Sequence, residues 1–145
     1  MTKIMPHLSV ENGRKAIELY EDLFGAQLVR HEKFTPEIGQ RFGFPDDFDY
    51  EASTLHAWLD IQGGTLSLAD RTGPAHEGSD IEIVIEVDSL EEIQAIFDKA
   101  KEKGCEFKIE LQQMFWGGWF TRFADQFGIG WQISFPLGQS DEAQE

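Results

Sequence analysis

The chain has 145 residues, 41% of them hydrophobic and 27% charged, which is the balance of one globular domain able to bury roughly two thirds of its unfolded surface. Twelve Lys and Arg against 27 Asp and Glu give a net charge of −15, which argues against a nucleic-acid partner, since phosphate backbones require cationic neutralisation. A single cysteine, Cys105, excludes an internal disulfide, no apolar run approaches a membrane span, and MTKIMPHLSV lacks the features of a signal peptide, so a cytoplasmic protein is expected.

In chain order, KIMPHLSV alternates so that Ile4, Leu8 and Val10 share one strand face and Met5, His7 and Ser9 the other. ENGRKAIELYEDLFG follows as a helix carrying Ala16, Ile17, Tyr20, Leu23 and Phe24 at three- and four-residue spacings, with Gly25 as its left-handed stop. AQLVRHEKF reads as a strand. TLHAWLDI and TLSLAD read as two more, joined by a tight hairpin at Gly63-Gly64. Between them, residues 35–53 form a long connection with Phe42, Phe44, Phe48 and Tyr50 among acidic residues, the composition of an ordered flap or a dimer contact.

The same order then recurs. IEIVIEV places Ile83, Ile85 and Val87 on one face and Glu82, Val84 and Glu86 on the other. Ser89 and Glu92 form a capping box for a helix that turns Leu90, Ile93, Ile96, Phe97 and Ala100 inward and stops at Gly104. CEFKIEL, WFTRFAD and GWQISF supply three further strands. LDIQGGTLSL at 59–68 aligns without a gap over ADQFGIGWQI at 124–133, an offset of 65, so that Asp60 meets Asp125 and Gly63 meets Gly128; the first strands align at an offset of 77. The fold class is therefore α+β: tandem βαβββ modules at about 3–70 and 80–136 within one domain of residues 1–138, then a flexible tail at 139–145. Each single helix can cover only one sheet face, so the expected architecture is two curved sheets around a shared concave cleft. Met5, His7, Ser9, Glu82, Val84 and Glu86 would line it, with Ser67 and Gln132 by pairing.

Chemistry is sparse. Glu82 and Glu86 share a strand face, and two carboxylates in a partly apolar cleft would raise at least one pKa, the condition for a general base; left open to water, both would stay solvated and idle. His7 and His56 are either cleft-lining groups or ordinary hydrogen-bonded strand residues, the latter facing the cleft if Leu55, Ala57 and Leu59 face the helix. Trp58, Trp116 and Trp119 could stack on a flat or cationic ligand or serve as packing; Arg122 could hold an anionic group or a surface ion pair. Cys105 reads as buried structure, with no basic partner nearby. Nothing is assigned to His31 or His76.

The doubled plan, with PHLSVENGRKAIELYEDLFGA, LHAWLDIQGGTLSLAD and WGGWFTRFADQFGIGWQI, resembles the vicinal oxygen chelate superfamily, which includes glyoxalase I, fosfomycin and bleomycin resistance proteins and extradiol dioxygenases. In detail it is similar to the PhnB-like branch, over roughly residues 3–136. The methyltransferase label often attached to that branch has no glycine-rich cofactor fingerprint to support it here. The resemblance implies a homodimer that binds a small molecule, and metal ligands at the first and last strands of each module. Those places are Met5, Ser67, Glu82 and Gln132, of which Glu82 alone is a strong ligand, so no cofactor is expected at the family positions. The reading that follows is a binding module for a cationic or aromatic compound. Its alternative is an enzyme, using either a divalent ion at a rearranged set including His7 and Glu82, or a metal-free Glu base.

Overall fold

Strands β1 (His7–Val10) and β5 (Ile83–Glu86) each lead into a helix whose start and stop are written locally. In α1 (Gly13–Phe24) the Asn12 side chain accepts a hydrogen bond from the Lys15 amide and Gly25, at φ 66°, ends the helix. In α3 (Leu90–Glu102) Ser89 accepts from the Glu92 amide, as the capping box requires, and Gly104 turns at φ 81°. The computed structural model describes residues 4–74 and 81–136. His76 and the 139–145 tail lie outside the described residues; among the described residues no helix is long and apolar enough to cross a membrane.

The chain divides into two compact units, residues 1–76 and 77–145. In the first, β2 (Gln27–Glu32), β3 (His56–Ile61) and β4 (Gly64–Asp70) join β1 in a sheet of order β1-β4-β3-β2, with β1 parallel to β4 and the other pairs antiparallel. In the second, β6 (Glu106–Gln113), β7 (Trp119–Ala124) and β8 (Gly130–Phe135) repeat the plan as β5-β8-β7-β6. The α+β fold of two βαβββ modules is thus present.

Each helix lies on one face of its own sheet. Leu8, Val10, Ala57, Leu59, Leu66 and Leu68 meet α1 residues Ala16, Ile17, Tyr20, Leu23 and Phe24, all buried; Ile85, Val87, Phe123, Trp131 and Ile133 form the equivalent layer with Ile93, Ile96 and Ala100. Each large apolar side chain so buried contributes about 1.5–3 kcal/mol. Leu90 departs from expectation. It is 42% exposed at the first helical position, and the inward stripe starts one turn later at Ile93.

The repeat is not gapless. His7 pairs with Ser67 and Val84 with Gln132, which confirms offsets of 77 and 65 for the parallel pairs. Trp58 lies opposite Ser67, however, while Arg122 lies opposite Gln132, an offset of 64. The extra residue sits in the hairpin tip. Gln62 and Gly63, both at positive φ, make a two-residue turn closed by Ile61 and Gly64, so Gly64 belongs to the strand. The second hairpin spans Gln126, Phe127 and Gly128, closed where the Asp125 amide donates to the Ile129 carbonyl. Asp125 therefore corresponds to Ile61, not to Asp60.

Residues 35–53 fold into α2 (Pro36–Arg41), capped by Thr35, and a single 3-10 turn at Tyr50–Ala52. Their aromatics form a local cluster on buried Phe34: Phe44 stacks on Phe48 at 4.3 Å between centroids and meets Phe34 edge-on at 5.1 Å.

Candidate functional site: an ionic row and an imidazole–indole row

The face of the second sheet turned away from α3 carries a row of charge. Glu82, just ahead of β5, reaches across the sheet. Its Oε1 accepts from Arg122 Nε at 2.7 Å on β7 and from Gln132 Nε2 at 2.9 Å on β8; its Oε2 accepts from Lys108 Nζ at 3.0 Å on β6. Gly130 makes room for this crossing, since a Cβ there would come within 2.8 Å of Glu82 Cγ. Only 6% of the Glu82 side chain is accessible, yet its cover is these partners rather than deep core. Hydrogen bonding to Arg122 is the largest influence on its carboxyl, desolvation opposes it, and the Gln132 and Lys108 bonds add to it. The pKa falls to about 2. In return, Glu82 raises the pKa of Arg122.

The expected upward shift is thereby reversed for Glu82. Glu86 is exposed on the same face but four strand residues further on, about 13 Å, too far to press its charge on Glu82. A carboxylate held near pKa 2 between two cations is a poor general base.

The corresponding face of the first sheet, turned away from α1, is built of rings. His7 Nδ1 lies 2.7 Å from Ser67 Oγ, and the His7 and His56 rings stack at 6.3 Å between centroids. Trp58 Nε1 donates to His56 Nε2 at 2.9 Å, so neutral His56 carries its proton on Nδ1. The Arg30 guanidinium caps the Trp58 ring at 5.6 Å. Burial, then the neighbouring His56, pushes the His7 pKa below its ordinary value. Ala57 and Leu59 do face α1, which puts His56 and Trp58 on this opposite face; Leu55 precedes the strand and is half-buried.

Trp119 is not with them. It shares the strand parity of buried Thr121 and Phe123, which places it on the helix side of β7; Phe120 takes the face that Arg122 occupies. Trp116, 48% exposed at the β6–β7 turn, meets Phe120 at 6.4 Å. Cys105 is half-buried, and burial, assisted by Asp125, pushes its thiol up to about 11, which makes it a poor nucleophile. Three contributors were missed in the sequence: Lys108, Phe120 and Arg30. Strand parity relative to Arg122 was a sufficient signal for Phe120; the other two depend on long side chains reaching across strands.

The donor set does not suit a resident divalent ion. Met5 and Ser67 are weak ligands, Gln132 offers only a neutral amide oxygen, and a divalent ion at Glu82 would meet the arginine and lysine already bonded there. The same objection meets the rearranged set with His7. Among the described residues no group of three His, Cys, Asp or Glu side chains converges.

Residues 4–133 match the Glyoxalase/Bleomycin resistance protein/Dioxygenase superfamily. An uncharacterized protein of Mycobacterium bovis is 28% identical over 97% of this chain and 89% of its own length. A crystal structure of a Pseudomonas aeruginosa protein superposes with a TM-score of 0.74 at 25% identity, covering 95% of this chain and all (100%) of that one. A PhnB protein from Bacillus cereus gives a TM-score of 0.72 at 19% identity, covering 92% of this chain and 99% of its own. The fosfomycin resistance protein FosX of Listeria monocytogenes gives 0.67 at 16%, covering 94% of each chain. The last two are similar in fold alone. With the duplicated βαβββ plan and a superfamily match along nearly the whole described chain, the protein belongs to the Glyoxalase/Bleomycin resistance protein/Dioxygenase superfamily.

Proposed function

We propose that the protein is a PhnB-like binder of small molecules that works without a metal ion, using the sheet faces turned away from its helices. The observation that carries this reading is the state of Glu82. The strongest ligand at the family's metal positions is bonded to Arg122, Lys108 and Gln132, so three of its roughly four acceptor sites are taken by protein donors, two of them cationic. Each unit by itself offers flat apolar surface beside a few polar groups, as small-molecule sites do: His7, His56 and Trp58 on the first sheet, and Arg122 and Gln132 on the second with Trp116 at its β6–β7 turn. Pairing into a homodimer is proposed on family membership.

The test is a melting-temperature screen of small molecules and divalent ions, each with and without a chelator. Small molecules should raise the melting temperature equally in both conditions. Stabilisation or turnover that requires a divalent ion would replace this reading with a metal-dependent enzyme.

A further inference from the structure

We infer that the second sheet binds a flat anionic molecule, an aryl-alkanoate, with its carboxylate on the outer edge of Arg122 and its ring against Phe120 and Trp116. This deepens the binding function proposed above and rests on it. Arg122 uses its Nε–H on Glu82 at 2.7 Å; the other four of its five N–H groups have no bonded acceptor among the described residues, and 38% of its side chain is accessible. That edge is the fork that matches a carboxylate in two parallel bonds.

Glu82 is a positioning residue in this arrangement. By pinning Nε it fixes the plane of the guanidinium before any ligand arrives, so that less side-chain freedom remains to be lost on binding. The local charge also favours an anion. Arg122 and Lys108 give +2 and Glu82 gives −1, leaving +1 around the fork, while exposed Glu86 lies two strands from Phe120 at the ring end. The net charge of −15 repels anions from afar, but beyond about 8 Å physiological salt screens it.

The ring site adjoins the fork. Phe120 lies two residues along β7 from Arg122 on the same face, a separation of about 7 Å. Trp116 closes on Phe120 at an interplanar angle of 67°, and its indole rests over Gly118, where a Cβ would come within 3.0 Å of Nε1. Those distances fit a ring joined to a carboxylate by a short alkyl arm, such as phenylpropionate.

The experiment is a titration of the isotope-labelled full chain with phenylpropionate, phenylpropanol and phenylpropylamine, following the tryptophan indole and arginine Nε–H resonances. Phenylpropionate should shift the Trp116 and Arg122 signals and bind at least about tenfold more tightly than the alcohol or the amine. Arg122→Lys, which keeps the charge but loses the fork, should weaken phenylpropionate about tenfold. Trp116→Ala, at an exposed turn, should weaken it without disturbing the fold. Equal binding of the alcohol or amine, unchanged affinity in both variants, or shifts confined to Trp58 would overturn the anionic class and leave the binding function standing. No binding by the three probes, with no stabilisation by any small molecule in the screen, would overturn both.

Discussion

Arg122 stands in the second sheet where Trp58 stands in the first: each lies across from the β-strand residue, Gln132 or Ser67, that pairs with its module's first strand. The backbone plan is shared and the chemistry is not. Around Trp58 lie the His7 and His56 rings, Ser67 and the Arg30 guanidinium; around Arg122 lie Gln132 and Lys108, cross-bonded through Glu82.

Replacing Glu82 with Gln should cost about 1–2 kcal/mol near neutral pH. A shift from 4.5 to about 2 sets an upper limit near 3 kcal/mol by linkage, and partners that are 38% and 45% accessible lose part of that to solvent screening. Because the folded pKa is depressed, this stabilisation is present above about pH 4.5 and disappears as pH falls toward 2. Urea melts across that window should show the variant and the parent converging in acid. A constant difference would contradict the assignment.

Gly130→Ala should destabilise by about 1–2 kcal/mol, because the new methyl strikes Glu82 at Cγ, which has little freedom to retreat. In a Glu82→Ala background the same change should be nearly neutral. A double-mutant cycle from denaturant midpoints measures the coupling, and additive effects would refute it.

For His7 the sign is the opposite of an ion-paired histidine. Its folded pKa lies below 6.5, so the unfolded chain takes up the proton first, and stability declines as pH falls from neutrality through 6.5. His31, also depressed by burial, adds to the decline. His7→Gln, which keeps a hydrogen-bonding group beside Ser67, should flatten part of the slope between about pH 7 and 5. Melting temperatures of both proteins across that range decide it.

Asp125 closes the second hairpin from inside. Its Oδ1 accepts from the Phe127 and Ile129 amides at 2.9 and 3.1 Å, and its Oδ2 from the indole of fully buried Trp131 at 2.9 Å. Asp125→Asn must turn an amide N–H toward one of these donors, leaving a buried group unpaired at a cost of about 2–3 kcal/mol. Urea denaturation followed by tryptophan fluorescence would detect it; an unchanged midpoint would show that the buried carboxylate is dispensable.

Much of this architecture could be read before any coordinates, because it is written in nearest neighbours. Ser89, Gly25 and Gly104 fix helix ends by local hydrogen bonding and backbone conformation, and alternation assigns Leu8, Val10, Ile85 and Val87 to the core. What escaped was set by pairing between distant segments. Aligning the glycines of the two hairpins hid the residue added at 126–128, and so matched Asp125 with Asp60. Trp119 looked like a wall residue until the β7–β8 register gave its face to Phe120. The fall in the Glu82 pKa depends on donors from three other strands, and no local pattern carries their convergence.

The extra residue in the second hairpin has a consequence for how such modules drift apart. A single codon gained within β7 would have turned every later side chain of that strand to the opposite side, sending Arg122 under the helix and Phe123 out of it. At the bend, a difference of one residue changes only the bend. Length variation in relatives should therefore collect at these tips, leaving the lineage free to alter the chemistry of one wall at a time.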